Sequence, residues 1–394
     1  MFKIEKKFLE WIEKHLTITV SIAVLLVSLE IRWSLRDFVS VDSAVYLLPW
    51  YDEIKSNGGI HGLSQQVGDY NMLYQFLIAI MTYIPISSLH AYKMLSILFD
   101  YGLAFTVGTI VKQITGNKQT GIFAFLLVTV SPLVFLNSSA WGQCDAIYTC
   151  FIMLTILAVL NENYKSAFLL LGLAFSFKLQ AVFILPFILL IYFVKKKFSV
   201  LYFLIIPAMM ILTSMPCLVM GRAIGDIFAV YFAQTGTYEK IAVNYPSFWV
   251  LLDDTFVTGS YKTMKIAAIA VTVLVLGAWM LAWILKKVVF SSRNMIYMAF
   301  VLCYTCVLFL PAMHDRYGFC YEIFAVIIAF LNIKTVLPAV MISSISLVTY
   351  GNFLFGRSMN LTVLTIANLV TYIIYMIMLQ KELIKNSQEN KGEN

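Results

Sequence analysis

The sequence predicts an all-α polytopic membrane protein, read as one domain over residues 1–394. Three observations predict it. Of the 394 residues, 61% are hydrophobic and 12% are charged, against roughly 25% charge in a soluble globular chain. Apolar runs of about 20 residues, the length a ~30 Å hydrocarbon core requires, follow one another with short gaps. Lysines cluster at the ends of these runs, so the net charge of +7 reads as a topology signal, and nothing points to nucleic acid. The ~10-residue alternating segments of a membrane barrel are not visible. Six cysteines form no spaced framework, and Cys303 and Cys306 fall inside an apolar run as small core residues.

Met1–Lys14 mixes Lys3, Lys6, Lys7 and Lys14 with acids, and Leu16–Ile31 is the first span. No small-residue cleavage site follows, which predicts an uncleaved signal anchor with a cytoplasmic N-terminus. Residues 35–88 then form the first outer loop, which carries Asp37, Asp42, Asp52, Glu53 and Asp69. Inside it, Ser43–Ile54 has apolar or aromatic groups at Val45, Leu47, Leu48, Trp50, Tyr51 and Ile54, with Pro49 in the middle. That pattern predicts a short helix along the membrane surface. Tyr70–Ile86 is apolar but interrupted by Pro85, and counting it as a span would place Lys195, Lys196 and Lys197 outside. It is therefore read as a surface or re-entrant helix of the outer face. Further spans follow near 89–113, 119–137, 144–160, 165–177, 180–194, 199–219, 262–285, 294–311, 318–333, 335–350 and 360–380. With the first span this makes about twelve transmembrane helices, both termini cytoplasmic, and residues 220–261 as a second large outer loop.

This topology leaves most basic residues inside and gathers the unusual polar groups outside: the Asp42 loop, Trp141–Asp145, Arg222, Asp226, His314–Tyr317 and Gly356-Arg357. The cytoplasmic connections are too short for a nucleotide-binding domain, and there is no glycine-rich phosphate loop. An activated substrate would have to come from the membrane or from outside.

Beyond Lys165 at its start, Tyr164–Val194 is one apolar stretch interrupted only by Lys178. It is too long for one span and short for two, so a pair of short helices turning at Lys178 is expected. A lysine at that depth costs roughly 2.5 to 3.5 kcal/mol on insertion scales and should meet an anion in a polar cavity or pair with Asp100. Arg316, in His314-Asp315-Arg316-Tyr317, offers a planar fork suited to phosphate or carboxylate, or else pairs with Asp315 or Glu322. His314 beside it could add a donor or carry a proton. Trp141–Asp145 is either a sugar or phosphate contact through Gln143 and Asp145, or an interfacial tryptophan turn.

NSSAWGQCDAIYT (137–149), GLAFSFKLQAVFILPF (172–187), MHDRYGF (313–319) and VDSAVYLLPWYDEIK (41–55) followed by GDYNMLY (68–74) resemble bacterial membrane proteins similar to the second mannosyltransferase of GPI-anchor synthesis, within the GT-C glycosyltransferases. The resemblance runs in order from about residue 35 to 320. It implies a GT-C-like bundle that moves a sugar, mannose or another hexose, from a polyprenyl-phosphate donor to a lipid or glycan acceptor with inversion. It also implies that Asp42, in the first outer loop, is the general base, although Val41-Asp42-Ser43 stands where Gly-Asp-Tyr is often found. Asp52 and Asp145 are alternatives for the base. Lys178, Arg316 and His314 are then expected to hold the donor phosphate. Asp52, Gln143, Asp145, Gln180 and Asp315 are expected as substrate contacts, and loop 231–261 as a cover over the acceptor. No cofactor is called for, with a divalent metal between Asp42 and Asp145 as a variant. A secondary transporter or polyprenyl-lipid flippase is the alternative, supported by Lys178 in a broken helix and Asp100 at depth. Against it, the two halves show no matching pair of interrupted segments.

Overall fold

The computed structural model describes residues 2–236, 240–252 and 261–392. In chain order α1 (Lys3–Lys14) and α2 (Leu16–Ser34) lead into the loop helices α3 (Leu48–Ser56) and α4 (Met72–Met81). A tightly packed group follows: α5 (Ser88–Thr115), α6 (Lys118–Thr129), α7 (Pro132–Phe135), α8 (Asp145–Leu160), α9 (Tyr164–Phe177), α10 (Leu185–Lys195) and α11 (Ile205–Val219). Then come α12 (Asp226–Gly236), α13 (Tyr261–Leu285), α14 (Ser292–Phe309), α15 (Phe319–Leu331), α16 (Val336–Phe355) and α17 (Leu361–Gly392). Among the described residues the only sheet is the parallel pair β1 (Ala242–Val243) and β2 (Met313–His314), with Val243 opposite His314.

This is the architecture of an all-α, multi-pass membrane protein. Seven described helices are long and apolar enough to cross a membrane, or eight if the bent pair Lys118–Thr129 and Pro132–Trp141 is one span. The expected count of about twelve is not fixed by length, because α8, α9, Leu179–Lys195 and α15 have only 10–17 residues. At ~1.5 Å per residue, the 16 residues of α8 rise roughly 24 Å, less than the ~30 Å core. Helix α4 is shorter still, with 10 residues. Tyr70–Ile86 is thus not a straight crossing.

The sequence sets several breaks directly. Pro49 lies in the first turn of α3, and the turn before it, Ser43–Leu47, is π-helical. Proline has no N–H to donate and crowds the carbonyl four residues back, which favours the wider turn. At Lys178 the backbone becomes extended, with φ −154° and ψ 139°, and a 3-10 segment over Leu179–Ile184 leads into α10. The expected turn at Lys178 is there. Between α5 and α6, a Cβ on Gly108 would stand 2.7 Å from the Gly121 carbonyl oxygen, and one on Gly121 would stand 2.6 Å from that of Gly108. Glycine at both positions lets the two backbones touch, as at other membrane helix contacts.

Connections separate into two sets. Gln113 donates to Asn161 at 2.9 Å, and Lys197 pairs with Glu162 at 2.5 Å, which gathers the connections near 113, 162 and 197. The loops that contain Asp42, Trp141, Lys178, Val243 and Arg316 meet one another instead, around a cavity.

Candidate functional site

Asp42 stands at the head of the π-turn, and two serines fix that turn against the Trp141 segment. Ser40 and Ser43 hydroxyls donate to the Trp141 carbonyl at 2.9 and 3.1 Å. The Trp141 segment is itself a π-turn, Leu136–Trp141, closed by Gly142 at φ +76°. A Cβ there would meet Ser43 Oγ at 3.2 Å and Leu47 Cδ1 at 3.4 Å. Glycine suits both the left-handed backbone and the close approach. Trp141 is buried, stacked on Phe353 with centroids 4.4 Å apart and edge-on to Tyr350 at 5.0 Å.

From this scaffold Trp141 Nε1 donates to Asp42 Oδ2 at 2.8 Å and Gln143 Nε2 donates to the same oxygen at 2.9 Å. Arg316 Nη1 approaches it at 3.4 Å. Gln143 is oriented in turn by Tyr70, whose hydroxyl donates to Oε1 at 2.9 Å. All of these bonds end on Oδ2, and among the described residues none ends on Oδ1. Asp42 lines the cavity, so one oxygen is held and the other is open to it.

Asp145 lies behind that surface, fully buried in the first turn of α8, where the helix N-terminus favours a carboxylate. Its Oδ1 pairs with Lys178 Nζ; its Oδ2 accepts from Asn137 Nδ2 at 2.9 Å and has Arg316 Nε at 3.4 Å as an ion pair without hydrogen-bond geometry. Lys178 therefore pairs with Asp145 and not with Asp100, which is bound by Arg32 at 2.9 Å. Arg316 likewise bridges Asp42 and Asp145 in place of Asp315 or Glu322, and its guanidinium lies 5.3 Å from the Trp141 ring centroid. Glu322 accepts from Ser346.

The cavity has a volume of about 430 Å³, within the ~300–1,000 Å³ usual for small-molecule sites. Asp42, Gln143, Lys178, Gln180, His314, Asp315 and Arg316 line it. Gln180 Oε1 is buried without a hydrogen-bond partner among the described residues. Asp145 touches the cavity only through Lys178 and Arg316. Asp52, expected as a substrate contact and an alternative base, is corrected by the structure: Tyr51 and Ile54 take the buried side of α3, and Asp52 is exposed outside the cavity lining. Of loop 231–261, Gln234, Val243 and Asn244 reach the cavity, while residues 237–239 and 253–260 lie outside the described residues. Tyr46, Trp50, Asp69, Tyr70 and Phe353 also line it. The sequence marks Asp69 only as one of the loop's five acids and Trp50 only as part of its apolar pattern, and assigns none of these five lining residues to the site, although GDYN contains two of them.

Two carboxylates bridged by an arginine make a poor divalent-metal site. The guanidinium lies 3.4 Å from each of Asp42 and Asp145, so a protein cation already fills the place an ion would take. Among the described residues no three His, Cys, Asp or Glu side chains gather as ligands elsewhere.

Burial, then the nearby Arg316 and Lys178, push His314 down to about 3, so with no anion in the cavity the neutral ring is favoured near neutral pH. Burial pushes Asp315 up to about 6, although Arg316 opposes the shift. His314 binds fewer protons folded than unfolded between about pH 3 and its ordinary ~6.5, so it removes stability as pH falls through that window. Asp315 acts in the opposite sense between its ordinary ~3.9 and about 6, where it removes stability as pH rises. The acid-side loss of unfolding free energy below pH 6.5 should therefore be shallower in His314→Gln, by at most about 1.4 kcal/mol per pH unit. Identical melting curves of variant and parent across pH 4.5–7 would rule this out.

Comparison with protein-family models finds no match to the chain, and comparison with curated proteins finds none either.

Proposed function

We propose that the protein is an inverting, polyprenyl-phosphate-sugar-dependent glycosyltransferase with a GT-C-like bundle of about twelve spans, both termini cytoplasmic and the cavity on the outer face of the cell membrane. The observation that carries the reading is Asp42: a carboxylate facing a 430 Å³ cavity, with Oδ2 fixed by two neutral donors and Oδ1 open. An acceptor hydroxyl is a poor nucleophile until a base within ~2.6–3.2 Å takes its proton. In this mechanism Oδ1 receives that proton as the acceptor oxygen bonds to the anomeric carbon from the face opposite the phosphate. The bond from the anomeric carbon to the phosphate oxygen breaks, and polyprenyl phosphate leaves with the electron pair.

The leaving phosphate gains charge and needs preorganised donors. Lys178 and Arg316 supply them at the cavity wall, while Asp145 holds both cations in place from behind. His314, neutral, serves as a hydrogen-bonding group. Gln180 and Asp315 contact the substrate, Gln180 with an amide oxygen that has no described protein partner. Gln143 orients the base.

The deciding experiment incubates purified protein with a panel of polyprenyl-phosphate sugars and mixed glycan and glycolipid acceptors, and follows loss of donor and gain of product. Uptake of the lipid into vesicles without transfer would instead favour a transporter or flippase. Lys178→Ala should raise KM for the donor about 10–100-fold, the worth of one charge-assisted hydrogen bond of ~1.5–3 kcal/mol. An unchanged donor dependence in steady-state kinetics would remove Lys178 from the phosphate site.

A further inference from the structure

The first outer loop gives the cavity a wall unlike the rest. Tyr46 and Trp50 are one helical turn apart, their rings 5.6 Å centroid to centroid, and Tyr46 is 45% exposed. Trp50 sits edge-on to Tyr70 at 5.5 Å and directly over Gly68, where a Cβ would come 2.4 Å from the indole. Gly68 has φ +64°, so backbone and space both reserve the position for glycine. The adjoining turn is tied down: Arg222 binds Gln66, and Gln66 Nε2 donates to the Gly68 and Tyr70 carbonyls at 2.8 and 3.0 Å. Next to these rings stands Asp69, exposed and lining the cavity. No described side chain pairs with its carboxylate, whereas Asp42 and Asp145 are each held by several donors.

We infer that this wall is a carbohydrate subsite: Tyr46 and Trp50 take the face of a sugar ring and Asp69 accepts from its hydroxyls. The inference rests on the glycosyl-transfer reading and names the acceptor as a glycan. A sugar has an apolar face of C–H groups and a rim of hydroxyl donors. The exposed Tyr46 ring and the partly exposed Trp50 ring at the cavity wall suit the first, and an unpaired carboxylate suits the second. A phosphate would be repelled by Asp69 and is drawn to Lys178 and Arg316. A simple alcohol or a serine side chain has no hydroxyl rim for the carboxylate to read. Tyr46 lies one turn after Asp42, so a ring seated there carries a hydroxyl toward the base.

The test uses the full chain in detergent without donor, so it reads out whether or not transfer occurs. Saturation-transfer NMR is recorded with methyl α-D-mannopyranoside, methyl β-D-glucopyranoside and methyl β-D-galactopyranoside. At least one glycoside should receive saturation, and its affinity should fall about tenfold in Trp50→Ala and in Asp69→Asn. The exposed Glu53→Gln should leave it unchanged. Asp69→Asn changes one exposed oxygen and should keep the parent melting temperature, which guards against a folding artefact. Saturation of no glycoside, or equal affinity in both variants and the parent, overturns the inference. Turnover of a donor onto an alkyl alcohol or a serine peptide, with no glycoside bound, keeps the transferase reading and overturns this one alone.

Discussion

Asp42→Asn is expected to lower kcat for sugar transfer by about 10²–10⁴-fold, the usual contribution of a general base. The substitution is well isolated by the local geometry. Trp141 Nε1 and Gln143 Nε2 both donate to Oδ2, at 2.8 and 2.9 Å, and the amide oxygen of asparagine can accept both in the same place. The amide nitrogen then replaces Oδ1, and its lone pair, delocalised into the carbonyl, cannot take the acceptor proton. Arg316 loses one of its two ion pairs and keeps the other with Asp145. KM for the donor and the melting temperature should accordingly stay close to the parent values, and the loss should fall on the chemical step. Single-turnover transfer from a polyprenyl-phosphate sugar separates these effects. Full transfer by the asparagine variant would sink the assignment of the base.

Much of this arrangement is legible in the sequence, and the reason is local in each case. The limits of the apolar helices follow from run length and from proline, as α6 and α7 break around Pro132 and α3 carries Pro49 in its first turn. The turn at Lys178 is legible because one charge in an otherwise apolar stretch cannot be left in a continuous helix facing lipid. Pairings are a different matter. Asp100 and Lys178 are both deep ionisable groups, and sequence alone matches them to each other. The structure gives Asp100 to Arg32 and Lys178 to Asp145, residues 68 and 33 positions away. Arg32 is hidden in the sequence because it stands just past Ile31, where the apolar run ends. Helix α2 in fact continues to Ser34, and Arg32 is buried within it against Asp100. The first outer loop shows the same limit. Its five acids look alike in sequence, and only the packing of Tyr51 and Ile54 turns Asp52 out while the serine latch at Trp141 turns Asp42 in.

The buried Arg32–Asp100 pair should prove a strong structural contact. Arg32 is 3% exposed and Asp100 is 0% exposed. The guanidinium reaches Asp100 Oδ2 through Nη2 at 2.9 Å and Nε at 3.3 Å, while Nη1 donates to the Thr129 carbonyl at 2.8 Å and Ser28 Oγ at 2.6 Å. Ser138 Oγ donates to Asp100 Oδ2 at 2.6 Å. One ion pair thus joins α2, α5, the end of α6 and the π-turn that carries Trp141. Arg32→Met strips the carboxylate of its cation in a medium that cannot solvate it, and should cost about 3–5 kcal/mol of stability. Asp100→Asn should cost a comparable amount for the converse reason. The double variant removes both charges, leaves two groups of similar volume, and should be more stable than either single variant, since well-packed neutral replacements of buried pairs are often tolerated. Equilibrium unfolding of the four proteins in mixed micelles gives the coupling energy directly. Additive losses would mean that the pair is solvated, and that the bundle does not close around it. Because Ser138 donates to Asp100 and lies in the π-turn that carries Trp141, the donor to Asp42, the single variants should also lose transfer activity per folded molecule when assayed well below each variant's melting temperature, where loss of folded protein does not contribute.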